Sequence, residues 1–408
     1  MTRTSPLAGP PTIATGTARL DALTGLRGVG MVLIVISHTS FQSGAKYNGP
    51  LAPLLVRMDV GVALFFVISG FFLYRSYAAA ALAGRPLPST RQFLINRAVR
   101  ILPAYWLMIV AASAVLNANH DARLGDLLRQ LTLTRIYQGG SGGFFEGTIQ
   151  TWSLDTIITF YLALPVLAWL VSRGVVGAGP QTVLRRQVIV IALCMAASPL
   201  FTAAWAAGWI DRPLAHHWLP AYLGWFGTGM ALAVASAALA AGVAGPISRA
   251  AADAASAPGT VYLAAAALFA IAATPVAGPG GLDLGTGFNQ VMRIALLGLV
   301  AGLIVLPGAL DRAPGHALIR ALGSRPMRWL GDISYGVFLY HLLALLVIVR
   351  LFDIPPFTGH FWTLTGATLA VTIPLAWLSY RYIESPLSRL VRTRTARSPA
   401  AAPTGHGR

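Results

Sequence analysis

Two side chains in the first apolar run carry the chemistry most open to interpretation. LRGVGMVLIVISHTS, residues 26–40, is dominated by apolar residues and glycine, yet it holds the guanidinium of Arg27 and the imidazole of His38. On a helix turning about 100° per residue, eleven positions make three turns plus about 20°. Both side chains therefore leave from nearly one face, about 16 Å apart along the axis. An imidazole changes charge near neutrality and suits a general base. A guanidinium orients a partner or binds an anion through a rigid fork of donors. Lipid exposure of either would be costly, so this face should look into protein or a polar cavity. Spacing alone also fits an interfacial anchor for Arg27 and a satisfied inter-helix hydrogen bond for His38.

Other polar residues recur in later apolar runs. GVALFFVISGFFLYRS (61–76) carries Ser69 and Gly70, small residues suited to close helix packing or to lining a cavity. RAVRILPAYW (97–106) puts Arg97 and Arg100 on one face at i, i+3. They fit either lipid headgroups or an anionic cofactor with several phosphates. TWSLDTIITFYLALP (151–165) offers Trp152 and Tyr161, by default interface and packing aromatics. Its Asp155 belongs at the headgroup boundary or in a polar cavity. GDISYGVFLYHLLAL (331–345) holds His341 deep in an apolar run, with Ser334 two turns earlier on a similar face. His216 and His217 are adjacent, a poor helical chelate, and no metal is expected. Arg381 and Glu384 in SYRYIESPLSRL (379–390) fit an inner cap, with Pro386 ending the helix.

The elements that must position these groups are membrane spans. The 408 residues are 56% hydrophobic and 11% charged, with mean hydropathy +0.66, far from a soluble mixture. Ten apolar segments are long enough for about 30 Å of hydrocarbon: 23–41, 59–79, 99–117, 152–173, 187–207, 217–240, 260–276, 288–308, 332–352 and 362–383. The seventh is short and alanine-rich. The first lacks a small-x-small cleavage site and reads as a retained helix rather than a signal peptide.

The net charge of +17 comes from 30 basic residues, all arginine except Lys46. With both termini cytoplasmic, 22 of the 30 fall on the inner side, as the positive-inside rule asks. That placement between spans explains the basicity without nucleic acid. Cys194, the only cysteine, excludes a disulfide framework. The expected fold is an all-α polytopic membrane protein of about ten transmembrane helices. It would comprise a cytoplasmic segment (1–18), a transmembrane domain (19–391) and a disordered basic tail (392–408). The glycine-rich outer loop YQGGSGGFFEGT (137–148) fits a lid or a plain connection equally.

Taken together, RLDALTGLRGVG (19–30), His38, FFVISGFFL (65–73), RAVRILPAYW, WSLDTIITFYLALP, LGDISYGVFLYH and YRYIESPLSRL resemble, in order, the membrane-bound acyltransferase-3 family of sugar and cell-envelope O-acyltransferases. The resemblance spans about residues 19–391. It implies transfer of a short acyl group, acetyl foremost, from acyl-CoA to a hydroxyl of a sugar, glycolipid or cell-envelope glycan in a bacterial cytoplasmic membrane. It implies His38 as general base and Arg27 as its orienting or donor-binding partner. Arg97 and Arg100 would hold donor phosphates, and Ser69, Gly70, Trp152, Asp155, Tyr161 and His341 would line the cavity. Relatives commonly carry an acid where this chain has Ile157, and larger members carry a C-terminal hydrolase-like domain for which this chain leaves no room. A transporter or flippase of an acyl or glycan substrate is the alternative of a different class. Acylation of a small glycosylated natural product is the alternative within the enzymes.

Overall fold

The computed structural model describes residues 20–120, 122–138, 144–173, 177–280 and 283–397, with side chains through Val391. The expected segment 1–18, the end of the tail beyond 397 and the glycine centre of the 137–148 loop lie outside the described residues.

Ten principal helices follow one another: α1 (Asp21–Ser43), α2 (Val60–Leu82), α3 (Thr90–Val115), α4 (Trp152–Ser172), α5 (Pro180–Ala206), α6 (Leu219–Ala240), α7 (Pro258–Ala272), α8 (Gly287–Leu310), α9 (Arg325–Leu351) and α10 (Phe361–Ser379). A π-helical turn (Tyr380–Glu384) leads from α10 into α11 (Ser385–Arg397). Among the described residues there is no strand, only an isolated bridge between Gly280 and Asp283. The chain is all-α.

Nine of the described helical segments are long and apolar enough to cross a membrane. The seventh expected span, 260–276, differs from its sequence pattern. Its helix, α7, has 15 residues and so reaches about 22 Å, short of the hydrocarbon core. It reaches span length only together with Pro246–Ala255, from which it is bent by 97°. Pro258 starts the second arm, where its missing N–H costs nothing, and closes off a continuous helix through the junction.

Small residues set which helices meet. A Cβ at Gly331 of α9 would collide with the Thr24 carbonyl of α1, and one at Gly28 would sit 3.1 Å from the Gly331 nitrogen. One at Gly25 would strike the Leu322 carbonyl. Backbone therefore lies on backbone along this seam, the arrangement small residues permit in membranes. Contacts pair Gly25 with Met327, Gly28 with Leu330 and Arg27 with Ser334, so α1 and α9 run parallel. Gly70 and Gly229 do the same for α2 and α6, against the Phe226 and Val67 carbonyls. Beside them Phe66, Phe226 and Phe160 stack at centroid distances of 4.6 and 4.0 Å. On its other flank α1 is tied to α10 by a 2.7 Å bond between the buried hydroxyls of Thr39 and Thr365.

Candidate active site

The parallel seam between α1 and α9 brings the polar residues of the two helices together in pairs. Toward the start of α1, an Arg27 guanidinium N–H donates to Ser334 Oγ at 3.3 Å, while that hydroxyl donates to the Gly331 carbonyl at 2.8 Å. Three turns further along α1, the His38 and His341 rings lie 5.2 Å apart, tilted by 46°. His341 is fully buried. Its Nδ1 lies 2.8 Å from the Phe338 carbonyl and 3.1 Å from that of Val337. A carbonyl only accepts, so Nδ1 carries the hydrogen and the neutral ring keeps its lone pair on Nε2. That Nε2 is buried with no hydrogen-bond partner. His38 is half-buried and makes no hydrogen bond among the described residues.

The Arg27 end of this face adjoins a polar cavity of about 350 Å³. Arg97 and Arg100 of α3 line it with Asp332 of α9, Glu384 of the π-turn, and Ser385 and Arg389 of α11. Glu384 is buried and accepts from Ser379 Oγ at 3.3 Å, which in turn accepts from Tyr340 at 3.1 Å. Arg27 lies within electrostatic reach of Arg100, Asp332, Tyr161 and Glu384. One face of α1 therefore carries Arg27, within electrostatic reach of the cavity's Arg100, Asp332 and Glu384, and His38, paired with His341.

The remaining sequence candidates fall around this axis in different ways. Trp152 stacks on His217 at 4.3 Å and tilts against Tyr222 at 5.2 Å. Gln150, two residues before it, donates to the Leu339 carbonyl at 2.9 Å, setting the start of α4 beside the turn of α9 that carries His341. Tyr161 is buried edge-on to Phe93 at 6.1 Å. Ile157, one turn before Tyr161 on the same helix face, presents a half-buried apolar side chain. Asp155 is buried and accepts from the Ile136 N–H at 3.4 Å, so it holds the segment before α4. Ser69 is half-buried, and Gly70 serves the α2–α6 approach already described.

Sequence reasoning did not single out a second charged group beyond the end of α1. Arg293 of α8 donates to Asp59, at the start of α2, through Nε at 3.1 Å and through a second, shorter bond from Nη2. Lys46 lies within electrostatic reach of Asp59, Arg293 and Arg57, and also of His38. Lys46 is held by a turn in which Gly44 adopts φ +82° and the Lys46 N–H reaches the Ser40 carbonyl. Burial pushes its ammonium below the ordinary lysine value, Asp59 raises it, and Arg293 and Arg57 lower it further. The available signal was compositional: Lys46 is the only lysine in the chain and follows the polar span directly.

A bundle of long apolar helices that holds paired histidines and an arginine-lined cavity belongs to the class of polytopic membrane proteins with a polar interior site. The chain is a member of the acyltransferase-3 family, whose model, described as an acyltransferase domain, matches residues 20–381. It is 28% identical to BcsY of Komagataeibacter xylinus, named as a membrane-bound transacylase, over 88% of this chain and 81% of that one. It is 27% identical to the exopolysaccharide production protein ExoZ of Rhizobium meliloti, over 82% and 90%. It is also 24% identical to the peptidoglycan O-acetyltransferase OatA of Listeria monocytogenes, covering 91% of this chain and 56% of OatA. No solved structure matches.

Proposed function

We propose that this protein is a membrane O-acyltransferase that moves a short acyl group, acetyl foremost, from acyl-CoA to a hydroxyl of a sugar, glycolipid or cell-envelope glycan. The supporting observation is the shared α1 face, which carries Arg27 toward the arginine-lined cavity and His38 beside His341. The names of ExoZ and OatA support a carbohydrate acceptor.

His38 is the general base. It takes the proton of the acceptor hydroxyl as that oxygen attacks the thioester carbonyl carbon. The tetrahedral adduct then collapses, breaking the C–S bond. The leaving CoA sulfur recovers the proton from the imidazolium. His341, its Nδ1–H committed to backbone carbonyls, presents a lone pair toward this region and supports the charge that His38 gains. Arg97 and Arg100, joined by Arg389, fit the phosphates of the donor: three guanidiniums around a polar cavity are suited to multiple oxyanions. Arg27 stands toward the donor cavity, about 16 Å along the helix axis from His38, where its guanidinium binds the anionic donor.

The parallel course of α1 and α9 supports ten passages. Two parallel spans must be separated by an odd number of crossings, and only by counting the bent pair does the number between them become seven. Ten passages put both termini on one side, and the arginine distribution supports the cytoplasmic side of the membrane, which the family resemblance makes a bacterial inner membrane. The domain division at 1–18, 19–391 and 392–408 follows the same proposal.

Purified protein incubated with radiolabelled acetyl-CoA and a panel of envelope glycans and glycolipids should transfer label covalently. Movement of a glycan across vesicles without covalent label would instead identify a transporter. Arg97→Ala and Arg100→Ala should each raise the donor KM about tenfold or more, while acceptor KM stays within twofold. Unchanged donor affinity in both variants would remove these arginines from the donor site. Charge-assisted bonds to phosphate set that scale, at about 1.5–3 kcal/mol each.

A further inference from the structure

The cations around Lys46 exceed the carboxylates able to balance them. Lys46, Arg57 and Arg293 lie in mutual electrostatic reach, with Asp59 as the acid they share. Asp59 is already engaged by Arg293. Arg57 is 1% exposed and spends its donors on main-chain carbonyls, those of Ala272 at 2.7 Å and of Gly278, which leave its charge uncompensated. Its Nη1 is buried without a partner. Lys46 Nζ makes no hydrogen bond or ion pair among the described residues and lies over the Phe41 ring, 5.7 Å from its centroid. Arg57 is fully buried while Lys46 and Arg293 are half-buried, and positive charge partly withdrawn from water favours an anion that shares it.

The position of these cations bears on which anion would fit. Lys46 follows the His38 end of α1, its N–H on the Ser40 carbonyl, and Asp59 with its partner Arg293 stands at the start of α2, the next long helix. Lys46 lies at the opposite end of the α1 face from the Arg97–Arg100 cavity, so donor phosphates are already provided for elsewhere. Next to Arg293, the Ile294 carbonyl accepts from Trp225 at 2.7 Å, and Trp225 packs at 4.8 Å on Tyr222, which with His217 packs on Trp152. Aromatic faces next to fixed charges suit a sugar ring carrying an ionic substituent.

We infer that Lys46, backed by the Arg293–Asp59 pair, forms an oxyanion subsite that selects acceptor glycans bearing a carboxylate or phosphate near the hydroxyl to be acylated. This deepens the proposed function and rests on it for the word acceptor. Lys46 supplies the mobile point charge. Arg293 is fixed by Asp59 and supplies a rigid donor plane, and the Trp152–His217–Tyr222 wall receives the ring.

The test uses the full chain in lipid nanodiscs, with acetyl-CoA and three matched acceptors: a glucuronide, a sugar phosphate and the neutral glucoside. An anionic acceptor should show a KM at least tenfold below that of the neutral one, and the two anionic arms show which oxyanion is preferred. Lys46→Gln should raise the KM for that acceptor about tenfold with donor KM and kcat held, and Lys46→Arg should restore it. Equal KM for neutral and anionic acceptors, or an unchanged KM in Lys46→Gln, overturns the subsite. If no acceptor is acylated, the acyltransferase proposal fails separately. Calorimetric binding of the glucuronide and the sugar phosphate then decides the subsite, which is overturned if neither binds or if Lys46→Gln binds them as the parent does.

Discussion

His38→Ala is expected to lower acyl transfer by about 10²–10⁴-fold, the range that a positioned general base contributes, while leaving acetyl-CoA binding unchanged. The two effects separate because the donor arginines lie at the other end of the α1 face from the imidazole. A structural histidine would behave differently, since its removal would loosen the bundle and weaken donor binding as well. His38 is half-buried and makes no hydrogen bond among the described residues, so truncation leaves no partner stranded. His341→Ala should cost less, because its contribution passes through His38. Groups that act as one unit are strongly non-additive, so the double variant should transfer no more slowly than His38→Ala alone. Parent-like transfer by His38→Ala at equal protein folding would end its assignment as base. Fully multiplicative losses would make the two histidines independent.

The local part of this site is legible in the amino-acid sequence. Arg27 and His38 lie on one helix, and helical periodicity fixes their shared face from sequence separation alone. The same holds for Arg97 and Arg100, which do line one cavity. Long-range pairing is less accessible. His341 stands out as a histidine in an apolar run, but its approach to His38 depends on Gly25, Gly28 and Gly331 bringing two helices together across some 300 residues of chain. Glycines of that kind are common in membrane helices, and their spacing does not name the partner.

Charges outside the spans are the least legible. Asp59 and Arg293 are 234 positions apart, and nothing in either neighbourhood marks the other. Asp155 has the sequence context of an acid for the cavity, yet the Ile136 N–H takes it toward the preceding segment. With Ile157 apolar, the acids within electrostatic reach of Arg27 are Asp332 and Glu384, contributed by α9 and by the π-turn after α10. The all-α class and nine of the ten spans follow from hydropathy, because long apolar runs have one stable form in lipid. The seventh, expected over 260–276, falls short because its helix ends at Ala272, ahead of the Pro275–Ala277 turn, and reaches span length only with the arm bent from it by 97°.

Gly331→Ala is expected to disable transfer without touching a reacting group. A methyl at this position would overlap the Thr24 carbonyl oxygen, which is main chain and cannot swing aside as a side chain would. Relief requires α1 and α9 to separate, and overpacking of this kind costs about 1–3 kcal/mol, with more where backbone faces backbone. Separation acts at both ends of the seam. Arg27 loses Ser334, whose bond is already 3.3 Å long, and His38 moves away from His341. Thermal unfolding in detergent should therefore shift downward, and kcat should fall by more than the loss of folded protein explains. Gly366→Ala is the matched control: it is a helical glycine with no neighbouring atom within 4 Å of the added methyl, so stability and transfer should stay at parent levels. Full activity of Gly331→Ala would mean that the α1–α9 contact does not set the geometry on which transfer depends. Loss of activity in Gly366→Ala as well would point to general helix effects rather than to the seam.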